Sequence, residues 1–552
     1  MQRFAALLDR LVLTPQRNAK LRLLADYFAT VPDPDRGYAL AALTGELAIP
    51  SVKPAMLRAL VGERIDEVLF AYSYDYVGDL AETISLVWSA RDDTEHSPPR
   101  LGDVVERLLR ASRSDGPKLV AGWLDALDAT GRWALIKLVT GGLRIGVSSR
   151  LTKQALADLG GRPVNEIEEL WHGLAPPYAD LFAWIAGRGE KPQSKIVAPF
   201  RPVMLSHALA DNELALITPD LYAAEWKWDG IRVQAVREKD VARLYTRTGD
   251  DISGTFPDLV DGLFFEGALD GELLIGTRGD SGFTLGSFSD LQQRLNRKTV
   301  SQKLMDSHPA FIRVYDCLVD GEEDLRGLSF RERRARLEAL VERSRSDRID
   351  LSPLLSFADG EELMALRRSP PEAVIEGVML KRWDSVYEPG RPKGPWFKWK
   401  RDPHTVDAVL MYAQRGHGKR SSFYSDYTFG VWRDSEAGSE LVPVGKAYFG
   451  FTDAELAEID RFVRNNTVNR FGPVCEVIHD ATKGLVLEVA FEGLQRSTRH
   501  KSGVAMRFPR IARLRWTSRR PRPTAWKRWK SSSTAEFLLL DPATASPYKG
   551  PT

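Results

Sequence analysis

The spacing of hydrophobic residues changes near residue 190, and this change constrains the fold more than any other feature of the sequence. Upstream, apolar residues recur at helical spacing. In the segment LGDVVERLLRASRSDG they are Leu101, Val104, Val105, Leu108 and Leu109. The run stops at a Ser-Asp-Gly-Pro break, and similar segments are separated by short loops that carry Pro or Gly. Residues 1–190 are therefore predicted to form an all-helical domain.

Downstream of this change, short strand-like segments dominate. The stretch from Gly187 to Leu205 is rich in Gly, Pro, Lys and Ser, which is typical of a linker or an extended crossing segment. The next segment, YAAEWKWDGIRVQAVREKDVARLYTRTG, reads as strands joined by Asp-Gly and Lys-Asp turns. Helical segments such as SFRERRARLEALVERS interrupt the strands. This mixture predicts an α+β domain over residues 191–403.

A third region, residues 404–516, contains further strand candidates separated by Gly-rich turns. In GLVLEVAFEG, four residues would share one face of a strand: Leu485, Leu487, Val489 and Phe491. Several short strands in about a hundred residues predict a small β-barrel of the OB-fold type. The expected fold class is thus multidomain α+β: a helical N-terminal domain, an α+β domain and a C-terminal OB-fold.

The charge balance excludes some classes of protein. Among 552 residues, 77 are Lys or Arg and 75 are Asp or Glu, so the chain is not basic overall. A basic groove for nucleic acid remains compatible with that balance. Two cysteines, Cys317 and Cys475, are too few for a disulfide framework or a four-thiolate zinc site, and the eight histidines form no ligand-like cluster. Asp9 and Arg10 interrupt the first apolar run, so we expect no signal peptide. No stretch approaches the apolar length that spans a bilayer, so we expect no membrane association. The scarcity of cysteine is typical of a reducing environment, so we expect a cytoplasmic location.

The most informative residues are the octet EWKWDGIR, which contains Lys227 at the predicted end of a strand. A lysine in this position is commonly a salt-bridge partner. The alternative is a covalent nucleophile, because burial or nearby cations favour the neutral amine. The octet alone leaves both interpretations open.

Six further segments follow Lys227 and favour the second interpretation, a covalent nucleophile. They are TRTGDDIS (246–253), LDGEL (269–273), VYDCL (314–318), EGVMLK (376–381), WFKWK (396–400) and RFPRIARLRW (507–516). Together they supply acidic groups, an aromatic residue and several cations near predicted strand ends. This inventory suits nucleotidyl transfer, in which cations hold phosphates, carboxylates hold Mg²⁺ and ribose, and an aromatic ring stacks on the base.

The ordered set of motifs resembles that of the covalent nucleotidyltransferases, and specifically the ATP-dependent DNA ligases. The helical region also resembles the DNA-binding domain of larger ligases, in VGDLAETI (77–84) and TGGLRIGVSSRLT (140–152). The resemblance implies a DNA-binding domain at 1–190, an adenylation domain at 191–403 and an OB-fold at 404–516. It also implies ATP and Mg²⁺ as cofactors, nicked duplex DNA as partner, and a monomer that encircles the DNA, associated with the nucleoid in a bacterium.

The resemblance assigns a role to each matching residue. Lys227 is expected to form lysyl-AMP, Glu225 to contact the adenine, Glu272 to hold the ribose, Tyr315 to stack on the base and Glu376 to bind the metal. The expected phosphate contacts are Arg232 and Arg247 with the nucleotide and the nick 5′-phosphate, Lys398 and Lys400 with the α-phosphate, and Arg507 and Arg510 with the leaving pyrophosphate.

Some of these residues also have an ordinary structural interpretation. Tyr315 could be a core tyrosine, since aromatic residues are common in strands. The Gly-rich, basic GHGKR loop (416–420) lacks the spacing of a P-loop, and we interpret it as lying near the DNA backbone. The GLRIGV segment could be a helix–helix turn. We favour DNA contact, in which Gly142 and Gly146 let the protein backbone approach a DNA phosphate and Arg144 reaches the minor groove.

The sequence departs from the family at its C-terminus. The last motif normally continues after the tryptophan with Asp-Lys, whereas Trp516 is followed by Thr517 and Ser518. We interpret the atypical basic tail, residues 517–552, as the product of a one-base frameshift; a native tail that binds DNA nonspecifically is the alternative. Two other functions stay open at this point: an RNA ligase or other covalent nucleotidyltransferase, and a catalytically impaired protein that binds nicks.

Overall fold

The computed structural model describes residues 1–89, 97–193, 196–280, 282–295, 297, 299–415, 424–435, 438–480, 483–496 and 503–515. The chain divides into two compact units. The first contains residues 1–15, 45–146 and 402–552; the second contains residues 16–44 and 147–401. Each unit therefore holds part of the helical region and one of the strand-rich regions.

Twelve α-helices fill the described part of the chain up to Ile185. They are α1 (Gln2–Leu13), α2 (Arg17–Thr30), α3 (Asp35–Thr44), α4 (Pro54–Gly62), α5 (Glu67–Val77), α6 (Leu80–Val87), α7 (Leu101–Arg110), α8 (Asp115–Ala126), α9 (Ala129–Thr140), α10 (Ser149–Gly160), α11 (Val164–Leu170) and α12 (Ala179–Ile185). No described helix combines the length and apolar character that crossing a membrane requires.

Local sequence sets several of these helix boundaries. The side chains of Asp66, Asp79, Asp128 and Ser148 accept hydrogen bonds from the first turns of α5, α6, α9 and α10. Helix α7 buries four of its five predicted apolar residues, but Leu109 is 47% exposed. At 100° per residue, Leu109 lies at the edge of the apolar stripe, so the helical prediction was right and the buried face is narrower than predicted.

The second unit carries two β-sheets. Its elements are β1 (His207–Ala208), β2 (Tyr222–Trp228), β3 (Ile231–Glu238), β4 (Val241–Thr246), α13 (Pro257–Val260), β5 (Gly267–Gly279), β6 (Gly282–Leu285), α14 (Phe288–Arg294), α15 (Gln302–Ser307), β7 (Ala310–Asp320), β8 (Glu323–Asp324), α16 (Phe330–Ser344), β9 (Ile349–Leu351), β10 (Leu354–Leu355), α17 (Gly360–Arg368), β11 (Ile375–Arg382) and β12 (Trp396–Lys400). One sheet has the order β1-β12-β11-β2-β10, and the other has the path β4-β3-β5-β7-β8 with β6 on β5 and β9 on β7.

Separate apolar cores support these two sheets. Residues such as Val233, Leu269 and Ile312 form the core of the sheet that contains β5 and β7. Residues such as Val378 and Leu380 form the core of the sheet that contains β2 and β11. The chain passes between the sheets at Asp229-Gly230, the turn that the sequence predicted.

The first unit contains the C-terminal strands. They are β13 (His404–Arg415), β14 (Tyr424–Ser435), β15 (Gly438–Ala447), β16 (Thr467–Phe471), β17 (Val474–Val477), β18 (Val486–Phe491), β19 (Gly493–Arg496), β20 (Val504–Arg507) and β21 (Arg510–Arg515), with helix α18 (Asp453–Asn465) after β15. Leu485, Leu487, Val489 and Phe491 all belong to its buried core, as their alternation predicted. The predicted fold class is confirmed; the predicted domain boundaries stay predictions.

Candidate active site

A row of residues across three adjacent strands defines the candidate site. Lys227 on β2 pairs with Gly377 on β11, and Gly377 pairs in turn with Lys400 on β12. Gly377 has φ +152°, and a Cβ there would lie 2.2 Å from the carbonyl oxygen of Trp399. Because glycine alone fits between the neighbouring strands, the two lysines lie on either side of a strand that carries no side chain at that point.

A β-bulge places a carboxylate between these two lysines. Trp228 pairs with Ile375 and Lys227 with Gly377, so Glu376 is the extra residue of β11. Its Oε2 lies 2.8 Å from Lys227 Nζ and 3.3 Å from Lys400 Nζ. Burial opposes ionisation, but the two lysine charges outweigh it and hold the pKa of Glu376 below its ordinary value. The predicted nucleophile and the predicted metal ligand therefore form an ion pair.

Lys398 adds positive charge to the same face of β12, two residues before Lys400. Partial burial lowers the pKa of Lys398, and the charges of Arg391, Lys227, Lys400 and Arg247 lower it further. Within the described residues, no acidic side chain forms an ion pair with Lys398. This local excess of positive charge suits a bound phosphate.

Glu272 approaches the site from the other sheet. It lies on β5 opposite Arg232, and a Cβ at Gly230 would lie 2.8 Å from its Cγ. The glycine of the Asp-Gly turn thus lets β5 pack against the end of β2. Burial raises the pKa of Glu272 to about 7, against the opposing charge of Lys227. Near neutral pH this carboxyl group is poised between its two protonation states.

Arg232 is held by the buried carboxylate of Asp270, which was not among the predicted site residues. Its Nε and Nη2 donate to the two carboxylate oxygens of Asp270 at 3.0 and 2.5 Å, and Tyr387 Oη donates to the same carboxylate at 2.7 Å. Burial opposes the charge of Arg232, but Asp270 outweighs it and raises the pKa of Arg232. Tyr315, half-buried on β7, lies beside this group, with its hydroxyl 3.5 Å from Asp270.

Glu225 is almost fully buried, with 1% of its surface exposed. Its Oε2 lies 2.7 Å from Lys381 Nζ and its Oε1 lies 3.1 Å from Arg334 Nη1. The same ammonium lies 4.4 Å from the centroid of the Tyr315 ring. Lys381 therefore contacts both Glu225 and Tyr315, the two residues predicted to contact the adenine.

The remaining predicted site residues lie elsewhere. Arg247 is exposed, directly after β4. Arg507 ends β20 and Arg510 begins β21, both in the first unit, where Arg510 lies 3.9 Å from Glu492. Gly142, Arg144 and Gly146 follow α9; Arg144 is exposed with φ 43°, and Gly146 has φ 68°. The GHGKR loop, Trp516 and the tail lie outside the described residues.

Sequence reasoning missed three residues of this site. Asp270 lies in the segment LDGEL with Glu272, and Lys381 lies in the segment EGVMLK with Glu376. Their presence in the same motifs as predicted site residues could have identified them. Arg334 has no such signal, because it lies in a charged helical segment that looks solvent-exposed. Among the described residues, no group of three or more His, Cys, Asp or Glu side chains is arranged to hold a metal ion.

Known proteins resemble the chain over most of its length. Three family descriptions match: "DNA ligase N terminus" at residues 1–157, "ATP dependent DNA ligase domain" at 203–400 and "ATP dependent DNA ligase C terminal region" at 420–518. A "Probable DNA ligase" of Koribacter versatilis is 30% identical, with 93% of each chain covered. "DNA ligase 1" of Korarchaeum cryptofilum is 30% identical, covering 93% of this chain and 95% of the relative.

A solved structure shares the fold at lower identity. The chain called Pmar-Lig_Pre has a TM-score of 0.57 and 14% identity, covering 93% of this chain and 99% of its own. The three family matches place the chain in the class of nucleotide-dependent ligases. The chain belongs to the ATP-dependent DNA ligase family, as an enzyme with ATP as its nucleotide and DNA as its partner.

Proposed function

We propose that this enzyme seals nicks in duplex DNA in three steps, with Lys227 as the covalent nucleophile. The observation that carries the proposal is the row formed by Lys227, Gly377 and Lys400, with Glu376 bulged between the lysines. In this arrangement Lys227 supplies the attacking amine, and Lys398 and Lys400 supply positive charge that would hold the phosphate.

In the first step, Lys227 Nζ gives up its protons to solvent and attacks the α-phosphorus of ATP. A nitrogen–phosphorus bond forms, the bond from the α-phosphorus to the bridging oxygen breaks, and pyrophosphate leaves. Lys398 and Lys400 neutralise the α-phosphate, Glu272 holds the ribose, and Glu225 and Tyr315 contact the adenine. Arg507 and Arg510 position the pyrophosphate. Each role requires charge neutralisation or alignment of the reacting groups.

The later steps use the same residues on a DNA substrate. The nick 5′-phosphate displaces Lys227 from the adenylate, with Arg232 and Arg247 contacting that phosphate, and the 3′-hydroxyl then displaces AMP. The Gly142, Arg144 and Gly146 segment contacts the duplex. We further propose a monomer that encircles the DNA and acts in the cytoplasm, on the nucleoid in a bacterium.

Mg²⁺ fits this site through the chemistry of its donors. Glu376 is a carboxylate, the ligand type that Mg²⁺ prefers, and Mg²⁺ commonly binds one or two carboxylates together with substrate phosphates. A single protein ligand is therefore compatible with a metal that arrives with ATP. When bound, Mg²⁺ supplies charge neutralisation to the phosphates.

Label transfer from α-³²P-ATP tests the proposal. The purified protein is incubated with labelled ATP and Mg²⁺ and resolved on a denaturing gel, beside labelled GTP. We expect ATP, and not GTP, to label the wild-type protein. The label should be lost in Lys227→Ala and retained in Lys303→Ala, which replaces an exposed lysine on α15. Labelling that survives in Lys227→Ala would show that another residue is the nucleophile.

A further inference from the structure

We propose that Arg334 is a positioning residue that sets the preference of this enzyme for a 6-amino purine. This inference rests on the proposed function, because it concerns how the adenine of ATP is recognised. Arg334 lies on α16, outside every motif that carries the family resemblance. It acts through Glu225, with which it forms a buried ion pair.

The contacts of Arg334 fix it in one orientation. Its side chain is almost fully buried, and its three nitrogens each donate to a different acceptor. Nη1 donates to Glu225 Oε1 at 3.1 Å, Nη2 to the carbonyl of Ser352 at 2.8 Å, and Nε to Glu338 Oε1 at 2.7 Å. A guanidinium that is hydrogen-bonded at all three nitrogens cannot rotate freely, so it fixes the orientation of its carboxylate partner.

The second oxygen of Glu225 is held by a different cation. Lys381, 1% exposed, lies 2.7 Å from Glu225 Oε2 and donates to the carbonyl oxygen of Tyr315 at 3.2 Å. Its ammonium also lies over the Tyr315 ring. The carboxylate and the proposed stacking platform for the base are therefore positioned by the same group.

These partners restrict what Glu225 can recognise. Lys and Arg side chains only donate hydrogen bonds, so both oxygens of Glu225 act as acceptors. The lone pairs that remain can accept a hydrogen bond from the 6-amino group of adenine, whereas they repel the 6-oxo group of guanine. Without Arg334, Oε1 would be buried with no donor, and the carboxylate would turn away from its present orientation.

Initial rates of self-adenylation with two nucleotides test the role of Arg334. The nucleotides are ATP and purine riboside 5′-triphosphate, which lacks the 6-amino group, both labelled at the α-phosphate. For Arg334→Met we expect the KM for ATP to rise about tenfold, the typical effect of losing a hydrogen bond to a charged group. The KM for purine riboside triphosphate should change by less than about twofold, since that nucleotide never makes the lost contact.

The matched control is Arg336→Met on the same helix, where an exposed arginine pairs with Glu323 and with Asp320 at 3.6 Å. Both KM values should stay at their wild-type level in this variant. Thermal unfolding verifies that each protein is folded. If Arg334→Met does not fold, Arg334→Lys replaces it, and the same selective rise in the KM for ATP is required.

An equal rise in both KM values would reduce Arg334 to a structural role and overturn the inference. The inference would also be overturned if the wild-type enzyme used the two nucleotides equally well, because Glu225 would then not contact the 6-position of the base. Failure of the proposed function gives a different result: a wild-type protein that takes label from neither nucleotide.

Discussion

The side-chain nitrogen of Lys227 lies 2.8 Å from Oε2 of Glu376, so the proposed nucleophile and the proposed metal ligand form an ion pair. The same oxygen lies 3.3 Å from Lys400. A lysine paired in this way is held in position, but it must give up a proton before its lone pair can attack phosphorus. Glu376 is therefore expected to affect both the placement and the activation of Lys227.

Replacing Glu376 by glutamine tests this relationship. Glu376→Gln keeps the shape of the side chain and removes its charge, so Lys227 and Lys400 would lose their shared counter-ion. We expect label transfer from α-³²P-ATP to fall by about a hundredfold, the scale on which a single electrostatic group acts in catalysis. Glu323→Gln, which removes an exposed partner of Arg336, should label normally. Wild-type labelling in Glu376→Gln would contradict the relationship.

The close approach at Gly377 predicts a large effect from one methyl group. In Gly377→Ala the new Cβ would overlap the carbonyl oxygen of Trp399, and the strands β11 and β12 would have to separate. We expect a loss of about 3 kcal/mol or more in the free energy of unfolding, together with loss of self-adenylation. Gly327→Ala, where a Cβ would meet nothing within 4 Å, should change stability by less than about 1 kcal/mol. Urea unfolding measures both, and equal stabilities would refute the argument.

Lys398 is expected to contribute to the binding of ATP through charge. Lys398→Ala should raise the KM for ATP in self-adenylation by about tenfold, as expected for the loss of a charge-assisted contact with phosphate. Lys398→Arg should recover part of that loss because it restores the charge. Lys303→Ala, which removes an exposed lysine charge on α15, provides the baseline. An unchanged KM in Lys398→Ala would exclude a phosphate contact.

The raised pKa of Glu272 predicts a pH-dependent stability. Its pKa is about 7 in the folded protein and 4.5 as a free side chain, so the folded state binds the extra proton between these values. The unfolding free energy should therefore fall as pH rises from about 4.5 to about 7. The contribution of Glu272 to this fall in unfolding free energy is about 1–3 kcal/mol, and it should be absent in Glu272→Gln. Chemical unfolding across this pH range, without nucleotide or metal, measures it; parallel curves would contradict the assignment.

The missing Asp-Lys pair after Trp516 predicts a step-specific defect. The family resemblance implies that this motif acts on the outer phosphates of ATP, so self-adenylation should be slow while sealing of a pre-adenylated nick is retained. The double variant Thr517→Asp, Ser518→Lys should accelerate self-adenylation and leave sealing of the pre-adenylated nick unchanged. Single-turnover assays of the two steps separate these effects. Acceleration of both steps, or of neither, would argue against the assignment.

Much of the fold followed from local patterns in the sequence. Helical spacing predicted α7, alternation predicted the buried face of β18, and the Asp-Gly turn predicted where β2 ends. These features depend on residues close together in the chain, where spacing fixes which side chains share a face. The pair Lys398 and Lys400 was predictable for the same reason, because residues two apart on a strand point the same way.

The environment of each site residue was decided by the tertiary structure. Glu225 and Arg334 are 109 residues apart in the chain, yet they form a buried ion pair. No local pattern distinguishes Arg334 from a solvent-exposed arginine, because its burial depends on how α16 packs against the sheet. Likewise, the β-bulge that places Glu376 beside Lys227 is a property of strand register. The sequence by itself determined which chemical groups are available; packing and register decided which of them meet, since those depend on contacts between distant segments.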